Sequence, residues 1–309
     1  MPSALVTGGA GFIGSHLVRN LLANGWQVRV LDNFSTGKKE NLAGLAGKME
    51  ILEGDLRDNS LVAVSVKGVD VIFHEAAFVS VPQSMEAPGE CFDINVRGTE
   101  TLLQAGKVHG VGRMVIASSA AVYGDTDQLP LSEELQTRCL SPYAASKNVN
   151  EIMAGLFTRA YDFEVTCLRY FNVFGPRQRP DSQYAAAIPL FIRMCLENKP
   201  ITIFGDGGQT RDLIFVDDVV RANLIAAERK DAPGKVFNVC TGHETRILDL
   251  VEELQDLFPN AKDPIFADPR PGDIYRSAGS PMKALKELGF RAETPLAEGL
   301  KATVAWMRS

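Results

Sequence analysis

Two short segments hold the residues best suited to chemistry, ASSAAVYG (117–124) and LSPYAASKNVNE (140–151). Ser141 and Pro142 predict an N-cap and a first helical residue, which puts Tyr143 in the first turn of a helix. Lys147 follows four residues later on the same face. A free tyrosine has a pKa of about 10, so to act as a base near neutrality it needs a downward shift of about three units, roughly 4 kcal/mol of preference for the phenolate. A nearby ammonium and the positive end of a helix both act in that direction. Ser118 and Ser119 close an apolar run just upstream, where a hydroxyl can bond the oxygen that Tyr143 deprotonates. Singly, Tyr-x-x-x-Lys also describes an amphipathic surface pair and Ser-Ser an ordinary strand end, so the surrounding elements must decide.

Those elements alternate. ALVTG (4–8), QVRVLD (27–32), MEILEGD (49–55), DVIFHEA (70–76) and RMVIASS (113–119) predict strands, separated by helical patterns near 12–24, 58–66 and 90–109. Strands this apolar imply burial on both faces, hence a parallel sheet between helix layers. Right-handed crossovers then give a Rossmann-type doubly wound α/β fold, with ligands beyond the carboxyl ends of the strands. A helix over 142–160 and a strand over 163–171 continue the rhythm. From NVFGPRQRP (172–180) the chain turns irregular, which suggests a smaller lobe. RDLIFVDDVVRANLIAAE (211–228) and KVFNV (235–239) regain the helix–strand order, and a Pro-rich loop at 267–273 precedes two short terminal helices. The division expected is 1–172, rejoined by about 213–240, as the nucleotide-binding domain, with 173–212 and 241–309 as a discontinuous substrate lobe.

The first strand runs straight into VTGGAGFIGSHL, which contains Gly9-x-Gly11-x-x-Gly14 and also Gly8-x-x-Gly11-x-x-Gly14. Glycines at strand–turn–helix allow a tight turn, close approach of backbone to a pyrophosphate and close helix–strand packing. The helix N-terminus supplies free N–H groups to the phosphates. Asp32 closes the second strand, 18 residues after Gly14. A carboxylate there accepts from the adenosine ribose hydroxyls and repels a 2′-phosphate, favouring NAD over NADP. Asp55 reads either as a contact to the adenine edge or as a turn residue, and Lys38 and Lys39 as a solvated loop.

Composition narrows the partners. The chain has 309 residues, 45% hydrophobic and 23% charged, with a net charge of −6 and no basic block beyond Lys38-Lys39. A nucleic-acid face needs clustered Lys and Arg and is not expected. The five cysteines are scattered and odd in number, which reads as free thiols in a reducing compartment. Four scattered histidines give no metal site. No apolar run reaches membrane-spanning length and the N-terminal stretch lacks a leader-like pattern, so the cytoplasm is the expected location.

TGGAGFIG, HEAA (74–77), NVRGT (95–99), ASSAAVYGD (117–125), YAASK and RYFNVFGP (169–176) together resemble the extended short-chain dehydrogenase/reductase family, and within it the UDP-hexose 4-epimerases. The resemblance extends to RDLIFVDD and RPGD in the later lobe. It implies bound NAD, with Tyr143 as base, Lys147 as its pKa partner and nicotinamide-ribose ligand, and Ser119 as the hydroxyl that shares the substrate oxygen. Around the cofactor it places Gly8, Gly11, Phe12, Ile13 and Gly14 at the phosphate loop. Asp32, Asn33, Asp55, Leu56, Ala76 and Asn95 complete that set. For a UDP-sugar it implies Asn172, Arg211 and Arg270 at the diphosphate, Asp273 near the uridine ribose and Phe204 at the uracil.

Within the family, 4,6-dehydratases and decarboxylases carry an acidic residue two before the motif tyrosine. SSAAVYG has Ala120 and Ala121 in those places, and methyl groups cannot supply the acid and base for eliminating water. The expectation is therefore a 4-epimerase passing through a 4-keto sugar. Ser277 is small where some glucose-restricted members carry tyrosine, which implies tolerance for UDP-GlcNAc and UDP-GalNAc besides UDP-glucose and UDP-galactose. Phe78 stands where some epimerases have a lysine near the cofactor phosphates. A reductase of a 4-keto nucleotide sugar and an NAD-binding sensor without turnover remain as alternatives. The resemblance also implies a homodimer built on helices 90–109 and 142–160.

Overall fold

The computed structural model describes residues 1–45, 47–180, 186–269 and 274–309. Along the chain, β1 (Ser3–Thr7), α1 (Phe12–Ala23), β2 (Gln27–Asp32), β3 (Met49–Glu53), α2 (Asn59–Val66) and β4 (Val71–His74) come first. Next are α3 (Val81–Glu86), α4 (Pro88–Phe92), α5 (Gly98–Val108), β5 (Arg113–Ser119), α6 (Pro142–Tyr161) and β6 (Glu164–Tyr170). The later elements are β7 (Asn172–Phe174), α7 (Ala187–Leu196), β8 (Thr202–Phe204), β9 (Thr210–Arg211), β10 (Leu213–Phe215) and α8 (Val216–Glu228). The chain closes with β11 (Val236–Val239), β12 (Thr245–Arg246), α9 (Ile247–Leu257), β13 (Ile265–Ala267) and α10 (Leu296–Arg308).

Seven strands form one sheet in the order β3-β2-β1-β4-β5-β6-β11, every pairing parallel. This is the expected doubly wound Rossmann-type arrangement. The order reverses between β1 and β4, which opens a crevice at their carboxyl ends. Leu17, Val18 and Leu21 of α1 and Val219, Val220 and Ala226 of α8 pack on one face. Val62 and Val66 of α2, Leu102 and Leu103 of α5 and Ala154 and Phe157 of α6 cover the other. The remaining strands pair only in twos, β7 with β10, β8 with β13 and β9 with β12. α7, α9 and α10 close a third core with them around Phe174, Phe191, Phe215, Leu250 and Leu300.

The predicted strands end early where the chain turns to the crevice: β1 stops at Thr7 because Gly8 leaves the sheet at φ +67°. The helix expected over 90–109 is interrupted by a π-helical turn, Asp93–Arg97, between α4 and α5. The short strands of the second lobe and α3 are too brief for a periodic signal, whereas α7 (Ile188, Phe191, Ile192, Cys195) and α9 (Ile247, Leu250, Val251, Leu254) carry a helical apolar spacing that the expected element order did not include. All five cysteines are free thiols, four of them buried and Cys139 half-buried. Among the described residues no helix is long and apolar enough to cross a membrane.

Candidate active site

The glycine loop is shaped by contacts that side chains would break. A Cβ on Gly8 would stand 2.7 Å from the Ala76 nitrogen, and one on Gly14 would overlap the Gly8 carbonyl. Gly11 N donates to that carbonyl at 2.9 Å. Gly11 is the N-cap of α1 and has no side chain to take the first-turn amides, including those of Phe12 and Ile13. An anionic group at the helix end satisfies such amides. Asp32 is buried, with one carboxylate oxygen accepting from Ala10 N at 2.9 Å and the other from Phe34 N at 2.8 Å. Burial raises its pKa above the usual range while these two amides oppose the rise. Asn33 donates to Asp55 at 3.1 Å. Asp55 also takes Arg57 bidentately, which holds its pKa down at about 2. Leu56 packs against Gly98 of α5. Lys39 pairs with Glu53 at 2.9 Å on the surface. The loop, the helix end and the Asp32 carboxylate suit an adenine dinucleotide without a 2′-phosphate.

Asn95 sits in the π turn, a distortion that recurs at functional sites. Its amide brackets Phe78, accepting from Phe78 N at 2.7 Å and donating to Phe78 O at 3.0 Å, and it donates to Ser146 Oγ at 2.9 Å. It thereby ties the loop after β4 to α6. His74, the last residue of β4, is fixed as a neutral imidazole. Thr99 Oγ1 gives its proton to Asn95 O at 2.6 Å, so it accepts from His74 Nε2 at 2.8 Å. His74 Nδ1 must then accept from Thr7 Oγ1 at 2.7 Å. Burial pushes the His74 pKa down to about 3.

The helix bearing Tyr143 starts where the sequence suggests. Ser141 caps α6, its Oγ accepting from Ala144 N at 3.1 Å, and Pro142 opens the helix. Tyr143 is half-buried in the first turn, near enough to the Ser119 hydroxyl for that group to favour its ionised form. Lys147 is buried one turn along, its Nζ donating to Ala117 O at 2.8 Å and lying 6.0 Å from the Tyr143 ring centroid. The two serines of β5 separate: Ser119 faces Tyr143, whereas Ser118 turns inward and donates to Glu151 at 2.5 Å. Glu151 also forms a buried bidentate pair with Arg169, at 2.8 and 2.7 Å. Alternation along a strand sends neighbours to opposite faces, so only one of the pair can reach the crevice.

The expected downward shift of Tyr143 is not what the free protein shows. Burial raises its pKa, Ser119 opposes the rise, and the charges of Cys91 and Glu75 add to it. Burial likewise pulls Lys147 down to about 8, with Glu75 pulling the other way. Desolvation disfavours any charged form, and for Tyr143 it outweighs the opposing Ser119 hydroxyl. Glu75 follows His74 and accepts from Tyr170 at 2.7 Å; sequence spacing could not pair residues so far apart.

In the smaller lobe a cavity of about 230 Å³ is lined by Asn172, Phe204 and Arg211, together with Gln178 and Gln209. Asn172 is anchored by its side chain to Asp212 O at 3.2 Å. The two glutamines had no spacing signal in the sequence. Ser277 is half-buried. The nearby Tyr275 is exposed and donates to Asp206 at 2.9 Å. Arg270 and Asp273 lie outside the described residues.

Residues 4–240 match the NAD dependent epimerase/dehydratase family. The chain is 41% identical to a provisionally named UDP-glucose 4-epimerase of Methanocaldococcus jannaschii, covering 99% of this chain and 98% of the other. Among solved structures it is similar to the UDP-glucose 4-epimerase of Thermotoga maritima with UDP-glucose, at TM-score 0.94, 37% identity, and 99% and 98% coverage. It is equally similar in sequence to the UDP-N-acetylglucosamine 4-epimerase of Methanobrevibacter ruminantium in complex with UDP-N-acetylmuramic acid, at TM-score 0.96, 37% identity, and 99% and 98% coverage. With its parallel sheet, dinucleotide loop and Tyr143–Lys147 pair, the chain belongs to the NAD dependent epimerase/dehydratase family.

Proposed function

We propose that the protein is a UDP-hexose 4-epimerase with bound NAD. The observation that carries this reading is the Tyr143 phenol close to the Ser119 hydroxyl, with Ser119 followed, at the turn leaving β5, by two methyl groups, Ala120 and Ala121. A base and a hydroxyl partner suffice for oxidation at C4, and no acid stands in the place where elimination of water would need one.

Bound NAD supplies a hydride acceptor and, once reduced, the matching donor. Tyr143 takes the proton of the 4-hydroxyl and later returns it, while Ser119 holds the same oxygen. Lys147, anchored to Ala117, supplies the positive charge facing the phenolate. Asn172 and Arg211 grip the nucleotide diphosphate, and Phe204 walls the base, while the 4-keto sugar turns over to present its other face. Arg270 and Asp273 belong to the same grip by resemblance. Planar guanidinium groups suit a pyrophosphate, and they give an acidic chain a local anion site. Residues 1–172 with about 213–240 form the cofactor domain in this reading, and 173–212 with 241–309 the sugar-nucleotide lobe. The small Ser277 leaves room for an N-acetyl group.

The working form is a cytoplasmic homodimer. Ile152 and Leu156 lie one turn apart on α6 and are 63% and 46% exposed, and Val108 of α5 is exposed as well. An apolar stripe on two such helices suits a four-helix contact with a second copy.

The test is proton NMR of the purified protein mixed with UDP-galactose and, separately, UDP-GalNAc, without added NAD and alongside Tyr143→Phe. Gluco epimers should appear with the wild type and fall by about 10²–10⁴-fold in the variant. If no epimer forms even with NAD⁺ supplied, the epimerase reading is wrong for these sugars, and reduction of a 4-keto nucleotide sugar or ligand sensing takes its place.

A further inference from the structure

Glu75 stands at the carboxyl end of β4, beside the crevice, and its main-chain N–H is tied to Thr7 O of β1 at 3.2 Å. Its Oε1 accepts from Tyr170 OH of β6 at 2.7 Å. The direction of that bond is determined. Asn223 Nδ2 of α8 donates to the Tyr170 oxygen at 2.7 Å and to Val219 O at 2.9 Å, so the single phenolic proton of Tyr170 goes to Glu75. A carboxyl held through one oxygen keeps the other free to gain or lose a proton.

The groups facing this carboxyl come from three elements. Tyr170 bonds it from β6, Tyr143 and Lys147 of α6 lie within electrostatic reach of it, and Asn223 of α8 reaches it through Tyr170. His74, its neighbour on β4, turns away to Thr7 and Thr99 as a neutral ring. Cys91, Cys167 and Glu151 also act on Lys147. Glu75 is therefore a carboxyl, fixed by Tyr170, whose charge reaches both Tyr143 and Lys147. An anion here opposes formation of the Tyr143 phenolate and favours the charged form of Lys147; a neutral acid does neither.

We propose that Glu75 is a positioning residue of the reaction, whose charge, set through Tyr170, governs the protonation of Tyr143 and Lys147 together. This rests on Tyr143 being the base. Burial lifts the Glu75 pKa to about 7, with Tyr170 and Lys147 opposing the rise, so the carboxyl changes charge near neutral pH. As pH rises through that range, the new anion makes the phenolate harder to form and the ammonium harder to lose. Both limbs of the bell-shaped pH–rate profile are held alkaline by one side chain.

Glu75→Gln keeps the shape and still accepts from Tyr170 through its amide oxygen, but carries no charge. Expected is a shift of both limbs of the kcat/KM profile to lower pH, each by about one unit. Tyr170→Phe removes the bond that favours the anion, keeps Glu75 neutral to higher pH, and should move both limbs the same way by less. A readout without turnover separates this idea from the epimerase reading: the ultraviolet absorbance of the phenolate, titrated in the purified protein with Tyr143→Phe as baseline. In Glu75→Gln the Tyr143 phenolate should form at lower pH, whether or not any UDP-sugar reacts. If the limbs and the titration stay where the wild type has them, or move to higher pH, Glu75 only braces Tyr170 and the proposal is overturned.

Discussion

Lys147 reaches back across the helix–sheet interface to donate its Nζ to the main-chain oxygen of Ala117, at 2.8 Å. Ala117 lies two residues before Ser119, so the bond ties the helix bearing Tyr143 to the strand bearing Ser119. The ammonium thus has two roles, one as a charge near Tyr143 and one as a tether between α6 and β5.

Removing that charge should be read in the pH profile. Lys147→Met keeps the stem packed but loses the ammonium, which raises the Tyr143 pKa further. The ascending limb of kcat/KM should move to higher pH and the maximum should fall by about 10²-fold or more. The orphaned Ala117 carbonyl adds a stability loss of about 1–3 kcal/mol. An ascending limb that does not move would show that Lys147 acts as tether alone.

His74 makes the fold sensitive to acid. Its folded pKa of about 3 lies below its unfolded value near 6.5, so between these two values the unfolded chain binds a proton that the folded chain does not. The stability it contributes is whole above the unfolded pKa and is lost as pH falls through that window, about 2 kcal/mol between about pH 7.5 and 5. Glu75, raised to about 7, has the opposite slope, losing its contribution as pH rises from the unfolded value toward 7. Urea unfolding of wild type and His74→Gln at the two pH values isolates the histidine. The variant should show a drop smaller by about that amount; equal drops would mean that the ring is not held neutral.

Sugar choice should turn on Ser277. Ser277→Tyr is expected to lower kcat/KM for UDP-GalNAc by about tenfold or more while leaving UDP-galactose within a few-fold, because an added ring excludes the N-acetyl group by its bulk. Equal losses on both sugars would place Ser277 outside the acetamido pocket.

Dimer formation should depend on the exposed stripe of α6. Ile152→Glu with Leu156→Glu puts two charges on the exposed face of α6. Light scattering should then report a monomer where the wild type is a dimer, with little change in the stability of the single chain, since surface substitutions stay within about 0.5 kcal/mol. A wild-type monomer would remove the basis for this face.

What the sequence determined by itself is what short-range chemistry controls. Ser141-Pro142 starts α6 through one side-chain oxygen and one fixed φ, and Tyr143 and Lys147 then share a face by helical period alone. The glycines of the first turn, Asp32 at the end of β2 and the apolar strands of a parallel sheet follow from the same local rules. What only the tertiary structure decided depends on groups distant in the chain. Alternation on β5 requires Ser118 and Ser119 to part, but it is the Glu151–Arg169 pair, buried between α6 and β6, that holds Ser118 and leaves Ser119 to the crevice. The joining of Glu75 to Tyr170, 95 residues later, needs β4, β5 and β6 side by side. The sign of the Tyr143 shift needs the burial of the finished crevice, because desolvation scales with what surrounds a group in space and not with its neighbours in the chain.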